Sequence, residues 1–482
     1  MIKKLKYEYP SHPKTQDDLP SSSDYTKLND RLAVYLVAIL LLAPIPLGSN
    51  RPVWWLVLGL AISGGAVWHL LRGMRIAPNR RLQMMKHRQI FILGVSVVGF
   101  GVIQALPIAD MLPGFLLRLP GSVASTSAIR TISVAPDASL LAALRLIIYL
   151  IFLVLVFEVA AQPNRGERIG WMLFFGITAH AVWGLISLNF LGDTLLLGEK
   201  FAYQGVATGT FVNRNSYATF LGFGIVLGVA LSLGRRAHPF NRTLHDRSWL
   251  SPERVEMLAI WVMISLIALA LLATQSRMGV FATIIAGLLT FVVISIKQQY
   301  SVKSIIATGG VGLFVLATVA PLGGNLGVLE RFLFVEQASE TRLDFYRQMI
   351  GMIEARPFTG YGLDAFAAAF ELHRAPPITS PRVLELGHNS YLTLWVELGL
   401  FFGSLPLIAL ITAAGVIIQR ILRQTTNLAM PAAALGVLCL GAIHSLVDFS
   451  LEIPANLLVF LAVVAIGAAH WRKREAETIQ GL

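Results

Sequence analysis

Long apolar runs make up most of the chain, and short polar stretches interrupt them at fairly even intervals. Twelve such runs lie near 32–48, 52–71, 89–106, 140–160, 168–190, 216–234, 255–273, 278–296, 304–322, 389–419, 431–447 and 454–470. Most have the roughly 18 to 22 residues that a helix needs to cross a ~30 Å hydrocarbon layer. The pattern predicts an all-α, polytopic membrane bundle of about twelve transmembrane helices. The only polar interval long enough to fold by itself separates the ninth and tenth runs, at 323–388.

Composition agrees with a chain dissolved in lipid. A length of 482 residues would suit two or three soluble domains, but 55% hydrophobic and 14% charged residues do not. Mean hydropathy is +0.67. The first 30 residues are polar and predict a disordered tail without a cleavable signal, and 471–482 form a second tail. The single cysteine, Cys439, lies inside a run, which leaves no intramolecular disulfide and no cysteine-rich metal site.

The net charge of +12 changes the picture only through its distribution. With an even number of spans both termini share one side, and the segments on that side hold 26 of the 39 Lys and Arg residues. The positive-inside rule then places both termini in the cytoplasm. The charge reads as a topology signal and not as a nucleic-acid footprint.

Three segments on the opposite face exceed hairpin turns. The first, PIADMLPGFLLRLPGSVASTSAIRTISVAPDASL, is Pro- and Ser-rich and is expected along the membrane surface; the second is LGDTLLLGEKFAYQGVATGTFVNRNSYA. In the third, SETRLDFYRQMIGMIEARPFTGYGLDAF predicts a helix with Thr341 and Asp344 as a capping box, Leu343, Tyr346, Ile350 and Ile353 at helical spacing, and Pro357, Gly360 and Gly362 as its stop. A loop of this length with its own helix is more often functional than passive. No Gly-rich phosphate loop, zinc motif or internal repeat stands out.

The candidate chemistry sits where polar loop meets apolar run. His388 directly precedes Asn389 and Ser390, both good N-cap residues, so its ring is expected at a helix amino end, where partial positive charge favours neutral imidazole. A neutral ring suits a general base, and a helix-capping histidine is the plainer alternative. Arg277 lies between two runs with almost no connector, and no acidic residue occurs between Glu256 and Glu330 to balance it. A diphosphate headgroup fits such a guanidinium, and snorkelling to lipid phosphate is the alternative. Arg342 is expected in the first turn of the loop helix beside Glu340 and Asp344, with Arg331 and Arg347 close by, a setting that structural salt bridges also explain. Arg214, flanked by Asn213 and Asn215, is either an anion ligand or part of a helix-capping cluster. His444 and Asp448 are one helical turn apart and read as a packing hydrogen bond. His238 and His245 have no ligand-spaced neighbours, and Glu397 follows His388 on the same helix.

In order, the segments TISVAPDASLLAALRLIIYL, GTFVNRNSYATFLGFG, LLATQSRMGVFAT, ERFLFVEQASETRLDFYRQMIGMIEARPFTGYGLDAF, GHNSYLTLWVELG and HSLVDFSLEIPAN span about residues 130 to 460. No single one is diagnostic, but their succession resembles the O-antigen ligase family, which shares its architecture with Wzy-type polysaccharide polymerases. The resemblance implies a membrane glycosyltransferase domain over 31–470 in a bacterial inner membrane, with a periplasmic active site. Its donor would be a glycan on undecaprenyl diphosphate and its acceptor a hydroxyl of lipid A core or of another glycan. It assigns His388 as the catalytic residue and Arg277, Arg342 and Arg214 as diphosphate ligands, with Arg331 and Arg347 near enough to compete for Arg342's part. It also implies inversion at the anomeric carbon without metal or cofactor. The alternatives are a polymerase with the same donor, a ligase acting on protein, a transporter of lipid-linked sugars and a non-catalytic scaffold.

Overall fold

The structure, a computed structural model, describes residues 22–78, 82–118, 130–234, 252–300, 336–378, 383–424 and 426–469. Among them are thirteen α-helices: α1 (Ser22–Leu42), α2 (Pro52–Ile76), α3 (Arg88–Ala105), α4 (Pro136–Ala160), α5 (Pro163–Phe190), α6 (Arg214–Leu233), α7 (Pro252–Ala273), α8 (Arg277–Lys297), α9 (Glu336–Ala355), α10 (Phe366–His373), α11 (Ser390–Arg423), α12 (Ala429–His444) and α13 (Pro454–Ala468). The molecule is a polytopic helical bundle. Among the described residues, eight helices are long and apolar enough to cross a membrane: α2, α3 with its preceding turn, α4, α5, α6, α7, α8 and α11. The apolar helices α12 and α13 are shorter, at 16 and 15 residues.

Every expected span except 304–322 overlaps one of these helices; that span, Arg331, His238 and His245 lie outside the described residues, as do 1–21 and 470–482. The first helix begins at Ser22, so it reaches back into the stretch expected as a polar tail. Its first turn carries Asp24, and its polar half is tied to the bundle through Asp30, which accepts from Arg165 Nε at 2.7 Å.

Sequence explains where most helices start. Proline opens α2, α4, α5 and α13, where its missing N–H costs nothing. Side chains cap α6, α8 and α11. The central helix, α6, packs against α5, α7, α8 and α12, and its membrane window is 78% buried. Small residues allow that closeness: a Cβ on Gly222 would lie 2.5 Å from Thr283 Oγ1.

A second, smaller core caps one end. Phe345, Met349, Met352 and Ile353 of α9 pack with Tyr361, Phe366, Phe370 and Val396. Two details of the sequence reading change here. The helix starts at Glu336, so Thr341 and Asp344 sit inside it and not at a cap, and Arg342 falls in the second turn. The buried stripe is set by the aromatic and methionine residues, leaving Leu343 and Ile350 exposed.

The cap is locked into a break in α11. Gly399 is non-helical, with φ of 70°, and a Cβ there would sit 2.5 Å from the Phe358 carbonyl. The break frees backbone groups that the segment after α9 takes up: Tyr361 N–H donates to Val396 O at 2.9 Å, Gly362 N–H to Glu397 O at 3.0 Å, and Leu400 N–H to Pro357 O at 2.7 Å. Gln104 Nε2 donates to both Thr359 O and Glu397 O at 2.8 Å, fastening the same joint to α3. Arg145 of α4 pairs with Asp364 of this segment at 3.1 Å. The result is a hydrogen-bonded shelf at the break in α11.

Candidate active site

Three helix amino ends meet beside this shelf, each closed by a side chain that short polar residues at the loop–helix boundary supply. Asn213 Oδ1 accepts from Asn215 N–H at 2.7 Å at the head of α6. Ser276 Oγ accepts from Gly279 N–H at 3.3 Å at the head of α8. Asn389 Oδ1 accepts from Tyr391 and Leu392 N–H at 3.0 and 3.1 Å at the head of α11. None of the three has an acidic residue in its first turn, and two of them begin with arginine, Arg214 and Arg277. A helix amino end already carries about half a positive charge.

Asn215 ties the caps of α6 and α8 together, and Asp448 links Asn215 to Ser390 at the head of α11, whose hydroxyl donates to the Asp448 carbonyl at 3.3 Å. Ser276 Oγ donates to Asn215 Oδ1 at 2.8 Å, and Asn215 Nδ2 donates to Asp448 Oδ1 at 2.9 Å. Ser450 Oγ donates to the other carboxylate oxygen of Asp448, which is buried. At α11, Asn389 Nδ2 donates to Leu446 O at 2.9 Å and Ser390 N–H to Ser445 O at 3.0 Å. Ser390 Oγ donates to Glu452 Oε1 at 2.7 Å. Burial pushes the Glu452 carboxyl up to about 7, with the Ser390 hydrogen bond opposing it.

His388 occupies the residue before the α11 cap, in left-handed backbone with φ of 48°. Gln275 holds the same conformation, φ 54°, just before the α8 cap. Such strain in non-glycine residues collects at functional sites. The His388 ring lies between Phe345 and Phe449, with centroid separations of 6.3 and 5.0 Å, and its carbonyl accepts from the Tyr346 hydroxyl at 3.0 Å. Burial lowers its pKa, Asp448 pulls it back up, and Arg342 lowers it further. The net shift is downward, which favours the neutral ring.

Arg342 is exposed on α9, and its charge acts on His388, Tyr346 and Tyr203. Arg347, by contrast, is 75% exposed and pairs with Asp344 at 2.8 Å. Between these two, Arg342 is the arginine whose charge reaches His388. The Arg214 guanidinium lies over the Tyr203 ring, 5.7 Å from its centroid. Tyr203 is raised by burial, lowered by Arg214, raised by Asp448 and lowered by Arg342, so one phenol reports on both arginines and the carboxylate. Arg277 is half-buried and is tied to the group through its neighbour Ser276.

His444 does not hydrogen-bond Asp448 as its spacing suggested; its Nδ1 lies 2.6 Å from Thr219 Oγ1. Glu397 is buried below the site, where Oε1 accepts from Phe366 N–H at 3.3 Å. Among the described residues, no group of three His, Cys, Asp or Glu side chains has metal-holding geometry. Tyr203 and the joining role of Asp448 went unread in the sequence. Tyr203's left-handed backbone has no local signature, and Asp448's partner Asn215 lies 233 positions away.

Residues 260–406 match a family model described as O-antigen ligase. That stretch contains Arg277, Arg342 and His388, and Arg214 and Asp448 lie outside it. No curated protein matches the chain significantly.

Proposed function

Since the chain carries an O-antigen ligase family domain, we propose that it transfers a glycan from undecaprenyl diphosphate to an acceptor hydroxyl, with lipid A core as the acceptor, at the periplasmic face of the inner membrane. The observation that carries this reading is the meeting of three capped helix amino ends, two of them headed by arginine, beside the His388 imidazole. Such an assembly gathers three helix amino ends and three arginines around the Asp448 carboxylate, which favours a polyanion. A lipid diphosphate supplies that charge and brings its own hydrocarbon anchor into the bundle's surroundings.

The chemistry follows from the placement. His388 accepts the proton of the incoming sugar hydroxyl as its oxygen attacks the anomeric carbon. The bond to the diphosphate breaks on the opposite side, and the leaving group departs with its electron pair. Arg277, Arg342 and Arg214, with the helix amino ends, stabilise the charge that develops there. Attack opposite to departure inverts the anomeric centre. Asn215 joins the caps of α6 and α8, and Asp448, by holding the Asn215 amide, helps to fix where the arginines stand.

A polymerase would use the same donor and site, so the product decides between them. Purified protein in nanodiscs, given undecaprenyl-diphosphate glycan with lipid A core or with a second lipid-linked glycan, should form the core-linked product. His388→Ala should lower that rate by roughly 10²–10⁴-fold. Near wild-type transfer by this variant would remove His388 from the chemistry, and lengthening of lipid-linked glycan alone would favour the polymerase.

A further inference from the structure

We propose that Tyr203 is a stacking platform for the first sugar of the lipid-linked glycan, held at the diphosphate site by a loop stapled through Asp193 and Lys200. The inference rests on the donor reading above and adds a binding residue to it.

The loop between α5 and α6 is closed on itself. Asp193 Oδ1 accepts from Lys200 Nζ at 2.7 Å and its Oδ2 from Gly205 N–H at 2.7 Å. Lys200 is buried and also donates to Val206 O at 2.5 Å. Asp193 N–H donates back to Ser187 O at 2.9 Å, and Ala207 N–H donates to Ala273 O at 2.9 Å. That last bond fixes the loop's exit three residues before the α8 cap. A surface loop with a buried lysine at its centre is built to hold a shape.

What the loop presents is Tyr203. Its backbone is left-handed, φ 55°, an unfavourable state for a bulky residue. The ring belongs to none of the apolar clusters of the core. It is 40% exposed, has Arg214 over it at 5.7 Å, and its hydroxyl accepts from Asn213 Nδ2 at 3.3 Å, at the α6 cap. An exposed aromatic fixed at such cost beside cations fits a ligand with both an anionic and an apolar surface. The sugar bonded to a diphosphate is one: phosphate lies at its anomeric carbon, and its ring carbons present a C–H face to an aromatic π-face.

The test uses two probes in nanodiscs, undecaprenyl diphosphate and undecaprenyl diphosphate carrying one N-acetylglucosamine. Wild type should bind the sugar-bearing lipid more tightly. Tyr203→Ala should weaken the sugar-bearing lipid by roughly tenfold and leave the plain diphosphate nearly unchanged, while Tyr203→Phe keeps the preference. Asp193→Ala should erode the same preference, since it releases the staple. Equal weakening of both probes by Tyr203→Ala, or no weakening of either, would overturn the assignment. Failure of wild type to bind either lipid would instead remove the donor reading, and the platform with it.

Discussion

Arg420 and Arg277 stand at opposite ends of helices and at opposite ends of the bundle. The Arg420 guanidinium donates to the carbonyls of Ile466, Gly467 and Ala469, where α13 ends and its partial charge is negative. Arg356 is treated alike, with the carbonyls of Leu117, Arg118 and Ile132 around it and the Tyr361 ring 4.6 Å away. Burial lowers its pKa to about 10. Arg277 and Arg214, in contrast, are the first residues of α8 and α6, where the helix charge has their own sign. An arginine at a helix carboxyl end meets charge of the opposite sign; one at an amino end adds its charge to the helix's own, beside the Asp448 carboxylate.

The largest separation between the two kinds should appear in activity. Arg277→Ala should lower glycan transfer by roughly 10²–10³-fold while leaving thermal unfolding close to wild type. Loss of folded protein in parallel with activity would show that Arg277 belongs with Arg420. The converse substitution, Arg420→Ala, strands three buried carbonyls and should cost about 3 kcal/mol of stability, read as a lower unfolding temperature in nanodiscs. Its activity per folded molecule should stay near wild type.

Smaller effects sharpen the comparison. Under the proposed mechanism His388 acts as the neutral base, so activity should fall as pH drops through a value below the ordinary 6.5. Arg342 disfavours the imidazolium and Asp448 favours it. Arg342→Ala should therefore move the acid limb to higher pH, and Asp448→Asn to lower pH. Equal limbs in both variants would mean that neither charge reaches the ring. Smallest of all, Arg347→Ala should change transfer and stability by less than about 0.5 kcal/mol, since its pair with Asp344 is exposed.

The sequence made the bundle readable because lipid demands long uninterrupted apolar runs, and these need no knowledge of partners. His388 before Asn389 and Asn213 before Arg214 were readable for a related reason: caps are local, and each writes itself into two or three adjacent residues. The loop helix was harder. Thr341 and Asp344 look like a cap, but the chain continues the helix from Glu336, and Phe345, Met349 and Met352 set the buried face because the kink at Gly399 presents Val396 to them. Links such as Asn215 to Asp448 or Arg145 to Asp364 join residues more than 200 positions apart and leave no periodic trace.

The central claim is that an anion completes the positive end of the bundle while His388 serves only the chemistry. Equilibrium binding of undecaprenyl diphosphate, without glycan, to wild type, Arg277→Ala and His388→Ala in nanodiscs measures this directly. The account predicts that Arg277→Ala loses most of the affinity and that His388→Ala retains it. Undiminished binding by Arg277→Ala, or its loss in His388→Ala alone, would contradict it.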